Sequence, residues 1–491
     1  MNTRCLAERL ERMPMLRIVV PFAAGIALAE HGTLPLWFLA GAFVCTGAVA
    51  LLLRSPLSLA GMLLAAGFGA AQLRTGEPAV PRGVETTYEV LVDGIPVDRG
   101  RYKTADAVVT AWRDPADGRW HAAGDRIALR ADSLTPLGSG ERFCCRGRIR
   151  PFGGPDGYRR LMARRGFAGT LWVGERTLLC RLPEVRHTLH VRAAERMRRL
   201  KIAGDAGAVV QAMTAGDRSG ITPELRAVYS RSGFAHLLAV SGLHTGIVFA
   251  LVNLALWWLP LLRRGHLVRN LLAAGAVWLF VAAAGFPPSA VRAAVMCTLL
   301  QTALASSSEY VALNALAAAA FGMLLWNPAW LGDQSFQLSF LAVGAILAWG
   351  VPLCRRLRTG RRLADAAIGA LVISLTASAA VAPLVAHTFG VVPLAGILLS
   401  PLAILLATVI VLGGTLWLAI PLPILAPPLR FILTQAARWL DALAGFAAGH
   451  PAGSAEYAPG LPATAALYLL FALATLACWS AEPKKSVTLH R

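Results

Sequence analysis

What most constrains this chain is the recurrence of apolar runs long enough to cross a bilayer. They fall at about 15–30, 34–53, 57–73, 234–259, 267–285, 289–306, 309–327, 335–351, 364–388, 392–420, 427–449 and 461–480. About 20 apolar residues span the hydrocarbon layer as a helix, and a helix satisfies its own backbone hydrogen bonds there. The spacing therefore predicts a polytopic α-helical membrane protein with about 12 membrane segments. The run 427–449 carries Arg430, Arg438 and Asp441, so a re-entrant or interfacial course is expected for it.

Basic residues orient the runs. Arg4, Arg9, Arg12 and Arg17 precede the first, and Arg54, Arg263-Arg264, the five Arg at 355–362 and Lys484-Lys485 recur at alternate loops. Positive loops stay inside, which predicts an inner-membrane protein with both termini cytoplasmic. The first run reads as an anchor, because two more follow it closely. The net charge of +20 exceeds what such loops need, and Lys contributes only four of the positive residues. Arginine's planar fork suits phosphate; a genome rich in arginine codons accounts for the same bias. The eight Cys show no CxxC and the ten His no HExxH, so no metal or other cofactor is expected. No Lys follows a Gly, so a Walker A motif is absent and any energy source lies in a partner or a gradient.

These features divide the chain into N-terminal membrane segments (1–74), a polar domain (75–182), an amphipathic basic helix with a polar linker (183–232), a membrane domain (233–481) and a cytoplasmic tail (482–491). In the polar domain, period-2 alternation marks strands at Thr87–Asp93, Ala107–Arg113, Arg126–Asp132, Arg142–Arg150 and Gly169–Val173. Five short strands outside the membrane, inserted after the third helix, predict an extracytoplasmic OB-like β-barrel. In the fourth strand Phe143, Cys145 and Ile149 share one face, while Arg142, Arg146, Arg148 and Arg150 share the other. Same-face neighbours lie about 6.6–6.8 Å apart, which makes a row of guanidinium groups and a track for a polyanion. Tyr158 and Phe167 then interleave with Arg159, Arg160, Arg164 and Arg165, as in single-strand binders. A Cys145–Cys180 disulfide is expected in an oxidising compartment. Residues 186–201 place Leu189, Ala193, Met197 and Leu200 on one face, the pattern of a helix lying on a membrane surface.

Polar residues interrupt the membrane half at few places. Asp217 and Arg218 precede a run broken by Ser241-Gly242 and His244; Arg292 follows Pro287-Pro288; Asp333, Gln334 and Gln337 open another run; Pro383, His387 and Gly390 end one. Ionisable groups inside membrane segments are functional candidates. A Gly-packed helix with a satisfied His, and an Arg292 that snorkels to the interface, are the structural alternatives.

The ordered runs GDRSGI, SGFAHLLAVSGLHTGIV, FPPSAVRAAVM, NPAWLGDQSFQLSFLAV and FGVVPLAGILLSPLAI resemble the motifs of the ComEC family of competence proteins. PFGGPDGYRRLMARRGFAG resembles the segment that closes that family's outer domain. The resemblance implies a membrane channel importing single-stranded DNA in natural transformation, with Asp217, Arg218, Ser241, Gly242, His244, Arg292, Gln334 and Gln337 along the membrane path. It implies an outer DNA receptor, a separate nuclease and a cytoplasmic motor or single-strand-binding protein as partners. The family often carries a C-terminal metallo-β-lactamase-like domain; no HxHxDH occurs here, so a short form without enzymatic activity is expected. Ser400 stands where the family usually has Asn. Two other functions fit the residues: an intramembrane serine hydrolase with Ser241 as nucleophile and His244 or His387 as base, and an exporter of another polyanion such as an anionic glycan.

Overall fold

The computed structural model describes residues 11, 13–74, 78–132, 135–154, 158–159, 162–163, 165–183, 188–261, 265–305, 312–450 and 454–481. It opens with helices α1 (Pro14–Leu28), α2 (Leu36–Leu53) and α3 (Pro56–Arg74). Pro14 starts α1, where its missing N–H costs no helical bond. α1 and α3 touch through small residues. A Cβ at Gly25 would strike the Leu64 carbonyl, and one at Gly67 the Phe22 carbonyl, so the two backbones approach as membrane helices do through glycine. α2 instead exposes Trp37, Leu51 and Leu52, a surface that lipid accommodates and water does not.

The next segment is a mixed-sheet domain. Its strands are β1 (Glu85–Val92), β2 (Val97–Asp98), β3 (Tyr102–Arg113), β4 (Trp120–Ala122), β5 (Arg126–Asp132), β6 (Arg142–Arg148), β7 (Phe167–Val173) and β8 (Leu178–Leu182). The order is β7-β5-β3-β1-β6-β8, with β2 and β4 on β3. β5 and β7 are parallel; the other neighbours are antiparallel. Beyond β6, Arg150 and Thr170 exchange backbone bonds of 2.9 and 2.7 Å, so the sheet returns on itself through β7. Alternation drives inward-facing Tyr88, Val90, Val109, Ile127, Leu129, Phe143, Ile149 and Leu171 into one core. The five expected strands are all present; β1, β3 and β7 start earlier than expected, β1 ends at Val92 and β6 at Arg148, short of their expected ends, and β2, β4 and β8 are additional strands.

The expected Cys145–Cys180 pairing is corrected. Cys145 points into the core with Phe143, while Cys144, on the opposite face, stands across from Cys180 in the β6–β8 register. Cys144, Cys145 and Cys180 are all free thiols. Burial pushes the Cys145 thiol up to about 12, and burial likewise pushes the Tyr88 phenol up to about 12. Both folded-state values exceed the unfolded ones, so the stability they contribute is complete below about pH 9 and is lost as pH rises towards 12. Alkaline titration of the full chain should show Tyr88 ionising together with unfolding of the sheet. Ionisation of all seven tyrosines near the free-phenol midpoint, with the sheet intact, would contradict this.

The rest is helical: α4 (Leu189–Arg198), α5 (Gly204–Ala215), α6 (Pro223–Arg231), α7 (Gly242–Ala255), α8 (Gly265–Ala283), α9 (Pro288–Ala305), α10 (Ala312–Trp326), α11 (Gln334–Ala345), α12 (Val351–Arg356), α13 (Arg362–Phe389), α14 (Leu394–Ala419), α15 (Ala426–Gly449) and α16 (Leu461–Ala481). A π-helical turn at Ile346–Gly350 joins α11 to α12, and β9 (Val391–Pro393) pairs with β10 (Ser454–Glu456). Among the described residues, six helices are long and apolar enough to cross a membrane: Leu36–Leu53, Pro56–Leu73, Gly265–Ala283, Gln334–Arg356, Arg362–Phe389 and Leu398–Ala419. Other apolar helices, such as α1, α7 and α10, are shorter. α15 is not among the six. It buries Leu429, Leu433, Ala437, Leu440 and Ala444 on one face, and its Asp441 accepts a 2.7 Å bond from the Tyr229 hydroxyl.

Two findings revise the reading of 183–232. α4 does not present its apolar stripe to a membrane surface: Ala194, Met197 and Leu200 pack into a protein core, and Leu189, expected on that stripe, is exposed. Arg196 holds the helix to α14, donating to the Leu418 carbonyl at 2.6 Å and accepting from Trp417 Nε1 on its own carbonyl at 2.8 Å. The stretch read as linker contains α5, which is buried from Ala206 to Val210 and from Ala212 to Ala215.

Candidate nucleic-acid path

The apolar run 234–259 does not form one interrupted helix. Residues 234–241 are irregular, with Phe234, Leu237 and Val240 buried, and α7 begins at Gly242 with extended Ser241 as its N-cap. The Ser241 amide donates to His244 Nδ1 at 3.1 Å. That nitrogen is therefore the acceptor, and the proton resides on Nε2. Both His244 Nε2 and Ser241 Oγ are buried and find no partner among the described residues. With its lone-pair nitrogen committed to the amide, His244 is not disposed as a base towards the Ser241 hydroxyl. His387 is fixed elsewhere, donating from Nδ1 to the Pro459 carbonyl at 2.9 Å.

α9 brings the charge. Ser289 at its start donates to the Val240 carbonyl at 2.9 Å, which docks α9 against the start of α7. Arg292 then lies beside Gly242. A Cβ at Gly242 would collide with Nη2 of Arg292, so the guanidinium reaches the helix terminus only because this residue is glycine. Arg292 is 4% exposed. Its Cζ sits 5.5 Å from the centre of the Phe340 ring, and Nε and Nη1 find no acceptor among the described residues. No carboxylate among the described residues pairs with it. A buried cation is normally paired, and a helix N-terminus is itself electropositive. Here two positive ends meet beside the Phe340 ring, and the guanidinium Nε and Nη1, the His244 Nε2–H and the Ser241 hydroxyl are left without a partner among the described residues. Among the described residues, no anion faces this guanidinium.

The other residues singled out from the sequence have their own partners or are exposed, and Gln337 lies one helical turn before Phe340, the ring under Arg292. Asp217 is buried and pairs with Arg198 at 2.7 Å, while Arg218 is exposed. Gln337 donates to the Leu331 carbonyl at 2.8 Å, and Gln334 is exposed. Asp333 caps α11 through the amides of Ser335 and Phe336, and its other oxygen accepts from Arg165 Nη2 at 2.5 Å. Ser400 donates back to the Gly396 carbonyl at 2.5 Å.

On the mixed-sheet domain, alternation holds: Arg146, Arg148 and Arg150 are exposed and Phe143, Cys145 and Ile149 buried. The row is not free of acidic partners, however. Arg142 pairs with Glu89 and Arg146 with Glu85 at 3.1 Å, because β1 lies alongside and sends its glutamates to the same face. Arg148 and Arg150 make no ion pair among the described residues. Tyr158 stacks edge-on against Phe152 at 6.0 Å, and Arg159 stands beside it in sequence. Arg160 and Arg164 lie outside the described residues.

A family model described as Competence protein matches residues 213–482, more than half of the chain. ComE operon protein 3 of Bacillus subtilis (strain 168) is 34% identical over 136 residues, which is 28% of this chain and 17% of that protein. The match thus spans under a fifth of that relative's length. No solved structure matches. The matched region contains α7, α9 and α11, and therefore Ser241, Gly242, His244, Arg292 and the Asp333 cap. The chain belongs to the Competence protein family.

Proposed function

We propose that this chain is a conduit that passes single-stranded DNA across the inner membrane into the cytoplasm during natural transformation, and that it is not an enzyme. The observation that carries the reading is Arg292, a buried guanidinium with no counter-ion among the described residues, set against the start of α7. An anionic cargo supplies what that site lacks. A conduit must bind well enough to admit its cargo and weakly enough to release it; one charge with neutral donors meets both needs better than a ring of charges. The domain between α3 and α4 supports the same reading. Its five main strands follow the order β1-β3-β5-β7-β6 with one parallel pair, which is the arrangement of an OB-like barrel, a fold used for oligonucleotides.

In this reading the shorter apolar helices complete about twelve membrane segments, the mixed-sheet domain lies outside and both termini lie in the cytoplasm. An outer DNA receptor, a separate nuclease and a cytoplasmic motor or single-strand-binding protein complete the pathway. The test is deletion of the gene, scored for transformation and for labelled DNA that passes the inner membrane. Loss of both, with DNA still binding outside the cell, is the expected result. Unchanged transformation rules the reading out.

A further inference from the structure

Arg148 and Arg150, the two arginines of the row that lack an ion pair, face a feature that alternation within one strand does not disclose. Register carries it. Across β3, β5 and β7, Thr104 stands opposite Arg130 and Arg130 opposite Trp172. Arg150 stands opposite Thr170, and continuing that antiparallel register by two residues sets Arg148 opposite Trp172. Close approach at Gly147, where a Cβ would lie 2.9 Å from Leu171 Cδ1 and 3.7 Å from the Trp172 carbonyl, agrees with this. The outward surface of the sheet therefore reads Arg130, Trp172, Arg148 across three strands.

Two aromatic rings meet on it. Trp172 is 47% exposed, and its ring centre lies 6.0 Å from that of Tyr102, tilted by 49°. The Arg130 guanidinium lies 5.6 Å from the Tyr102 ring centre. A half-exposed indole on an outer sheet face adds nothing to the core, whose β7 contribution comes from Leu171 and Val173. Arg101 and Arg176 border the same crevice, with Asp132 and Glu175. Counting Glu85, which stands opposite Arg148 and pairs with Arg146, five arginines thus stand against three carboxylates around the two rings.

We propose that Trp172 and Tyr102, braced by Arg130, form a base-stacking platform for single-stranded DNA, with Arg148 and Arg150 taking the phosphates on one side. The proposal rests on the conduit reading and adds to it that the outer domain grips bases as well as phosphates. Stacking on aromatic side chains is sequence-tolerant because every base has a π-face, so the platform would not discriminate among incoming sequences.

The experiment uses the full chain in detergent, with fluorescence anisotropy of a labelled oligo-dT and of an abasic deoxyribose-phosphate oligomer of equal length and charge. Wild type should prefer oligo-dT, and Trp172→Ala should reduce oligo-dT affinity by roughly 5- to 50-fold while leaving the abasic oligomer nearly unaffected. Trp172→Phe should retain most of the preference. Arg148→Gln with Arg150→Gln should weaken both ligands alike and flatten the salt dependence. Should Trp172→Ala not stay monodisperse, photocrosslinking of wild type to bromodeoxyuridine-substituted oligomer decides: adducts on Trp172 or Tyr102 support the platform, and adducts only elsewhere overturn it. Equal wild-type affinity for the two oligomers overturns the platform and leaves the conduit standing. Wild type that binds neither, even at low salt, overturns both.

Discussion

Cells carrying Gly242→Leu should take up DNA at roughly a hundredth of the normal level or less, since in the conduit reading the variant fills the space where the start of α7 meets the Arg292 guanidinium. The cause is local. Any Cβ at this position collides with Nη2 of Arg292, so either the guanidinium withdraws or α7 and α9 separate, at about 1–3 kcal/mol for the overpacked contact. Gly242→Ala, which adds only the Cβ, should fall between. Arg292→Met provides the sharper contrast. Uptake should collapse as well, yet the protein should become more resistant to unfolding in detergent by about 1–4 kcal/mol, because an uncompensated buried charge has been replaced by a side chain of similar volume. Function and stability moving in opposite directions is the mark of a site kept for its cargo. Normal transformation by a stably expressed Arg292→Met variant would remove Arg292 from the path.

The largest loss of stability should come from Arg198→Ala. Its partner Asp217 has no exposed side-chain surface, and otherwise accepts only the Ser219 amide at 3.0 Å. Removing one member of a buried pair costs about 3–5 kcal/mol; the Arg198 side chain is 47% exposed, so solvent screening brings the expected figure to about 2–3 kcal/mol. Asp217→Ala alone should cost less, and the double variant should recover part of the single-variant loss, because no orphaned carboxylate remains. Unfolding in detergent followed by circular dichroism measures all three. Additive losses in the double variant would mean that Arg198 and Asp217 act separately, and that the pair does not tie α4 to the loop after α5.

Much of the architecture is written in one-dimensional patterns. Arg126–Asp132 is a strand with the bounds alternation assigns, and most of the long apolar runs become helices within a few residues of expectation, the run 234–259 being an exception whose helix starts only at Gly242. What pattern does not carry is pairing. Arg142 to Arg150 reads as an open row because the glutamates that neutralise half of it lie on β1, more than fifty residues earlier. Trp172, Arg130 and Tyr102 lie on three strands, so their contact exists only once register is set. α5 escaped notice for another reason: Gly204–Ala215 is rich in Ala, Val and Gly, which look weakly apolar in sequence but suit close packing against α14 and α15. The membrane site was half legible. An Arg in an apolar run and a Gly-Ser-His break are each visible, but nothing in their fifty-residue separation shows that one touches the other.

The link between Arg165 and Asp333 has a further meaning for a polyanionic cargo. It joins the mixed-sheet domain to the cap of α11 by a charge-assisted bond, and a phosphate oxygen can take the place of the carboxylate in it. A phosphate arriving at Arg165 offers an oxygen in place of the carboxylate it displaces, and Asp333, whose side chain is 10% exposed, keeps its two amide bonds but gives up its counter-charge. In the conduit reading proposed above, phosphates of the strand compete with Asp333 for Arg165, so this joint responds to a polyanion where an apolar contact would not.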